Sequence, residues 1–199
     1  MAAPTIRVAT ESDAAAIRDI YAPYVADTAI TFETTAPSPG GLRERIRETR
    51  DEHPWLVCEL DGDLVGYACA GPIREYGAYR WAVESTVYVA DDAHGAGVGS
   101  ALYDSLLSVL ALQGFLDVHA LVTRPNPASV ALHESFGFER VTTFEAMGYK
   151  GGAWHDVDWW RRELGPRPDD PAPPLSASEV RELDGWEEAL EAGEKRLKT

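Results

Sequence analysis

Apolar positions recur along this chain with two periods, about 2 and about 3.6, and the changes between them mark its elements. TIRVAT at 5–10 reads as a short strand. Thr10 to Asp13 offers capping chemistry for a helix in which Ile17, Ile20, Tyr21, Tyr24 and Val25 form one apolar stripe. The break APSPGG precedes a charged helix around Leu42 to Glu52, after which WLVCEL, DGD and LVGYACAG predict a hairpin whose mostly apolar strands suit the middle of a covered sheet. WAVESTVYVA (81–90) is a further strand, Val98 to Gln113 a helix, and FLDVHALVT (115–123) the next strand. A helix then starts near Asn126 and is stopped by Gly137, and ERVTTFEAMGYK and WHDVDWWRREL are both strand-like. This order predicts an α/β (α+β) fold with antiparallel strands first and a strand–helix–strand crossover later.

Composition changes at Gly165, since five of the 13 prolines lie between 166 and 174. Residues 1–164 are read as one domain and 165–199 as a Pro-rich acidic extension, its proline-rich stretch a linker or an arm draped over the surface. Within the extension Ser176 and Glu179 form a capping-box pattern, and Val180, Leu183, Leu190 and Leu197 mark a weak amphipathic helix. It is expected either to pack across a partner subunit or to stay disordered. The net charge of −15 opposes a nucleic-acid backbone or an anionic membrane surface, so neither is expected as a partner. No apolar run approaches ~20 residues and the first residues lack a secretory pattern, which makes the cytoplasm the expected location. Cys58 and Cys69 flank the turn at Asp61–Gly62, but pairing around it sets Cys58 opposite Val65 or Gly66. The two thiols would then stand about 10 Å or more apart at ~3.3 Å per residue, too far for a disulfide, and both are expected buried and reduced. The five histidines show no metal-ligand spacing, so no metal is expected.

The stretch HGAGVGS, 94–100, joins a strand to a helix with glycines at 95, 97 and 99. Such a loop presents backbone N–H groups at a positive helix end and suits phosphate oxygens. A Walker loop would need Lys before Ser100, where Gly99 stands, and a dinucleotide fingerprint would need glycine at Ser100 itself. A glycine-rich turn without a ligand is the plainer alternative.

With the strand before it and PNPASVALHESFGF after it, this loop resembles the acetyl-CoA site of the GNAT superfamily of N-acetyltransferases. HPWLVCELDGDLVGYACAGP, AYRWAVESTVYV, LHESFGF and GYKGGAWHDVDWW resemble the branch that acetylates phosphinothricin, methionine sulfoximine and methionine sulfone, over roughly residues 5 to 164. The resemblance implies the GNAT fold, a mixed, mostly antiparallel central sheet flanked by helices and splayed at the acetyl-CoA site. It implies acetyl-CoA as co-substrate, a small-molecule amine as acceptor, and a homodimer, which exposed aromatics of WHDVDWW could support. Gly95, Ala96, Gly97, Val98, Gly99 and Ser100 would hold the pyrophosphate, the backbone of Val87, Tyr88 and Val89 the pantetheine, and Asn126 and Ser129 further parts of the cofactor. His94 and Gly95 stand at the family's usual polar and basic opening positions.

Acetyl transfer to an amine needs a base for the ammonium, a polarised carbonyl and a proton for the thiolate. Glu84 interrupts an apolar strand and shares a face with Thr86 and Tyr88, which makes it a candidate base. Its plainer alternative is an ion pair with Arg74 or Arg80. His133 shares one helical face with Asn126 and Ser129 and either acts as acid, orders the substrate, or is a hydrogen-bonded core histidine. The resemblance puts Phe32, Arg74, Tyr79 and Glu84 around the acceptor, with Tyr76 where relatives carry a second basic residue. A peptide N-terminus or a polyamine as acceptor, and a noncatalytic acyl-CoA sensor, are the rival readings.

Overall fold

A computed structural model describes residues 4–197; positions 1–3 and 198–199, which the two predicted units include, lie outside the described residues. Seven strands form one sheet in the order β1 (Thr5–Val8), β2 (Trp55–Leu60), β3 (Asp63–Pro72), β4 (Ala82–Val89), β5 (Asp117–Thr123), β7 (Ala153–Glu163), β6 (Glu139–Lys150). All neighbours are antiparallel except β4 and β5, which run parallel and are joined through helix α3 (Val98–Gln113). Helices α1 (Ala14–Asp27) and α2 (Pro39–Thr49) cover one face, where Ile17, Tyr21, Leu42 and Ile46 pack with Trp55, Val57 and Tyr67. On the other face Val98, Leu102, Leu106 and Leu110 of α3 meet Leu56, Ala68, Val83, Val118 and Trp160. Each such fully buried Leu side chain contributes roughly 1.5–3 kcal/mol. Helix α4 (Pro127–Ser135) follows β5.

Local chemistry sets the boundaries. Asp61 and Gly62 both have positive φ, 53° and 93°, as the tight turn between β2 and β3 requires. The resulting register places Cys58 opposite Gly66 and Cys69 opposite Trp55, and both thiols are free. The second helix starts earlier than the sequence reading, at Pro39, because Ser38 accepts the Gly41 N–H at 3.1 Å and proline at the first position is already in helical geometry. The segment read as a break is therefore partly the first helical turn.

The extension packs on its own chain. Arg167 pairs with Asp117 and with Glu163, and Leu175 exchanges hydrogen bonds with the Gln113 backbone and side chain. Two short helices follow, α5 (Ala177–Val180) and α6 (Trp186–Glu191), burying Val180, Trp186, Leu190 and Leu197 against α3 and its neighbours. The single predicted helix is interrupted by Gly185 at φ 93°, and Leu183 turns outward at 39% exposure. At the far edge, β6 and the tip of β7 expose Val141, Met147, Tyr149 and Trp154. Within WHDVDWW only Trp154 is exposed, whereas Trp160 is buried and the half-buried Trp159 donates its indole N–H to His119 Nδ1 at 2.7 Å.

Candidate active site

The β4–β5 ladder consists of three pairs and ends with Glu84 opposite His119, although β4 continues to Val89 and β5 to Thr123. β3 stays with β4 and β7 with β5, so the sheet parts at Glu84. The Ala90 N–H reaches the Val65 carbonyl and the Leu116 N–H the Trp81 carbonyl, which fixes the alternation along β4. Even-numbered residues face β3, and Ser85, Val87 and Val89 turn their backbone groups toward the gap. Of these, the Val89 carbonyl accepts the Tyr24 hydroxyl at 2.7 Å.

The gap belongs to a cavity of about 1300 Å³. That exceeds the ~300–1,000 Å³ of ordinary small-ligand pockets, as a site for two molecules end to end requires. At one end lie the loop 95–100 and the start of α3, where the N–H groups of Val98, Gly99 and Ser100 precede the first intrahelical bond, from Ala101 to Gly97. Gly95 and Gly97 have φ of 83° and 88°, values that disfavour any side chain. At the other end are Tyr21, Phe32, Glu33, Arg45, Trp55 and Tyr67. Phe32 lies so closely over Gly148 that a Cβ there would come within 2.2 Å of the ring.

Glu84 sits between the two ends. It makes no ion pair among the described residues, and burial raises its carboxyl above the usual glutamate range. The Arg80 guanidinium instead donates to the Gly77 carbonyl at 2.8 Å and lies over Trp81. Beside Glu84, burial pushes the Cys69 thiol up to about 12, so it stays protonated and is a poor nucleophile. Arg45 donates to Glu33 at 2.7 Å and is the cation of this end.

His133, 3% exposed, forms the wall with Ser85 and Tyr103. Its Nδ1 is 2.7 Å from the Ser129 carbonyl and must donate there; Nε2 lies 2.8 Å from the Tyr103 hydroxyl, which is 2.7 Å from Ser85 Oγ. Burial lowers the His133 pKa, which favours the neutral ring with Nε2 accepting from Tyr103. The geometry is that of a hydrogen-bonded core histidine at the edge of the cavity.

Phe32, Glu84, Val87, Tyr88, Val89, Gly95, Gly97, Val98, Gly99, Ser100, Asn126, Ser129 and His133 all line this one cavity. Tyr88 reaches it differently from its neighbours: its backbone pairs with Tyr67 and its ring packs on Tyr21, Tyr24 and Tyr67. Asn126 caps α4 by accepting the Ser129 N–H at 3.1 Å. Ala96 packs toward the core, and Arg74 and Tyr79 lie exposed in the β3–β4 connection, outside the lining. Arg45, Tyr103 and Arg196 were missed by the sequence reading. A cation and a tyrosine on helices, and an arginine in the tail, carry no local motif; only the folded chain brings them to the gap. No cluster of three metal-ligating side chains, and no helix long and apolar enough to cross a membrane, occurs among the described residues.

The sequence profile of the acetyltransferase (GNAT) domain matches residues 6–159. A phosphinothricin N-acetyltransferase of Streptomyces viridochromogenes is 41% identical over 178 residues, 89% of this chain and 95% of its own. An L-methionine sulfoximine/L-methionine sulfone acetyltransferase of Pseudomonas aeruginosa is 33% identical, covering 81% of this chain and 95% of its own. The crystal structure of a GNAT superfamily phosphinothricin acetyltransferase of Sinorhizobium meliloti in complex with acetyl-CoA superposes with a TM-score of 0.81 at 31% identity, over 88% of this chain and 99% of that one. With the parted sheet, the glycine loop and these relatives together, the chain belongs to the GNAT family of N-acetyltransferases.

Proposed function

We propose that this protein acetylates the α-amino group of a small amino-acid-like substrate of the phosphinothricin, methionine sulfoximine or methionine sulfone kind, using acetyl-CoA. The observation that carries the reading is the position of Glu84, a half-buried carboxyl with raised pKa at the point where β4 and β5 part, between the glycine loop and the Arg45 end of one cavity. The residues present suit the cofactor. Orphan N–H groups at the start of α3 fit a pyrophosphate, and the backbone edge of Val87 in the gap fits an amide-bearing arm. When bound, acetyl-CoA would supply an acetyl thioester open to direct attack by the amine, C–N forming as C–S breaks and the departing CoA thiolate taking up the second proton that the amine nitrogen sheds. Glu84 takes the ammonium proton, directly or through one water, because a carboxylate with raised pKa is the better base. The Val87 N–H, turned into the gap, polarises the thioester carbonyl. Neutral His133 holds Tyr103, and through it Ser85, in place beside Glu84. Cys69 stays a thiol and spectates. At the acceptor end Arg45 offers a guanidinium to the amino-acid carboxylate and Phe32 a wall to its side chain. The exposed Tyr149–Trp154 edge is the face on which a second copy would pair.

The test is initial-rate release of CoA thiol with methionine sulfone, methionine sulfoximine, phosphinothricin and spermidine offered separately. Turnover with the first three and none with spermidine is expected. Turnover with spermidine alone would replace the amino-acid reading with the polyamine one.

A further inference from the structure

Two of the loop glycines, Gly97 and Gly99, differ in what surrounds them. A Cβ on Gly99 would make only ordinary contact, 3.6 Å from Val89 Cγ2. A Cβ on Gly97 would come within 2.4 Å of the Arg196 carbonyl oxygen, a backbone atom of the C-terminal extension. One turn on, a Cβ at Gly193 of the extension would come within 1.8 Å of the Ala101 carbonyl, and the Gly193 N–H donates to buried Ser105 Oγ at 3.1 Å. The extension and the first turns of α3 are therefore interlocked through paired glycines, backbone on backbone. This close approach brings Arg196 to the cavity.

The Arg196 side chain is half exposed. Its guanidinium lies 5.0 Å over the Phe136 ring and pairs through Nε with Asp104, one turn past Ser100 on α3. Stacking and the Nε bond fix the plane of the group. Neither Nη has a hydrogen-bond partner among the described residues, so four N–H groups remain for a ligand. Among the described residues lining the cavity, Arg45 and Arg196 are the permanent cations, and Arg45 is at the opposite end, paired with Glu33. The loop itself opens with His94 and Gly95 and contributes no Lys or Arg. A chain of net charge −15 that holds a multiply anionic ligand needs a local cation where the phosphates lie.

We propose that Arg196, delivered by the extension that interlocks with Gly97, is a phosphate ligand for the nucleotide end of coenzyme A, so that the extension completes the cofactor site. This rests on the acetyl-CoA reading above. Both Nη groups match a phosphate in the planar, two-point geometry that lysine cannot reproduce.

The experiment is calorimetric binding of CoA and of 3′-dephospho-CoA to the full chain and to Arg196→Ala, Arg196→Lys and Asp104→Asn, with melting temperatures recorded for each. Arg196→Ala should weaken CoA about tenfold or more, as loss of a charge-assisted contact does, with Arg196→Lys between it and the unmodified chain. If the loss is confined to CoA, Arg196 serves the 3′-phosphate; if dephospho-CoA loses as much, it serves the pyrophosphate. Asp104→Asn separates a ligand from a structural anchor. It breaks the same ion pair but removes a negative charge near the phosphate, so CoA binding should hold or tighten. Unchanged CoA affinity in Arg196→Ala, or equal weakening in Asp104→Asn, would overturn the proposal. Failure of the unmodified chain to bind CoA would instead overturn the acetyl-CoA reading.

Discussion

The buried run Ser85–Tyr103–His133–Ser129 ties the parting strand to α3 and α4, and removing its central hydroxyl is a direct probe of it. In Tyr103→Phe two hydrogen bonds of 2.7 and 2.8 Å vanish, and the buried His133 Nε2 loses the donor it faces. Two net bonds at about 1 kcal/mol each and an orphaned buried acceptor at ~1–3 kcal/mol sum to about 3–5 kcal/mol. For a domain of this size that corresponds to a fall in melting temperature of roughly 6–20 °C. Ser85 keeps its longer contact, 3.2 Å, to the His119 carbonyl, so the loss should not exceed this range. Removing both partners leaves no orphan at Nε2. Tyr103→Phe combined with His133→Leu should therefore cost at least ~1 kcal/mol less than the two single changes added. Urea unfolding of the four proteins measures this. A loss below ~0.5 kcal/mol in Tyr103→Phe, or strict additivity, would refute the hydrogen-bonded chain.

Gly193→Ala places a Cβ against the Ala101 carbonyl and should destabilise by roughly 1–3 kcal/mol as overpacking does, read as a lower melting temperature together with faster proteolysis within 165–199. Arg45→Ala should raise the acceptor KM about tenfold or more while leaving the CoA dissociation constant unchanged, since Arg45 sits at the far end of the cavity. Asp13, held at about 2 by its hydrogen bonds to Arg7, has a folded-state pKa below its ordinary 3.8. Its contribution is present above that ordinary value and is lost as pH falls toward 2, so Asp13→Asn should flatten the melting temperature between pH 4 and 2. Cys58 and Cys69, both pushed up to about 12, should resist thiol reagents at pH 8 until the protein is unfolded.

Sequence pattern was most informative where local chemistry decides structure. α3 has the predicted bounds because an apolar run lies between Gly97 and Gly114, both left-handed. The β2–β3 register follows from the turn at Asp61–Gly62 and separates the two thiols as expected. The first turn of α2 was hidden because Pro39, Gly40 and Gly41 look like a break unless the Ser38 cap is weighed. Most expected site residues line one cavity, since β4, the glycine loop and the α4 cap are each recognisable from neighbouring residues. Arg74 and Tyr79, in the exposed β3–β4 connection, lie outside the lining, and a connection without periodic pattern gave no signal of where they would point. The extension was the least legible part. Gly193 and Trp186 acquire meaning only against Ala101 and α3, contacts across more than 70 residues of chain.

The central claim is that Glu84 is the base at the parting of the sheet, and kcat/KM for methionine sulfone against pH, in the unmodified protein and in Glu84→Gln, tests it most directly. Because burial raises the folded-state pKa, kcat/KM should climb with pH along a limb centred above the ordinary glutamate value of 4.5. The same shift makes the ionised carboxylate a cost to stability that grows as pH rises past 4.5, so Glu84→Gln should be at least as stable at neutral pH. It should bind acetyl-CoA unchanged, lose roughly 10²–10⁴ in kcat/KM, and lose that limb. A Glu84→Gln protein with unaltered turnover and an unaltered acidic limb would contradict the account.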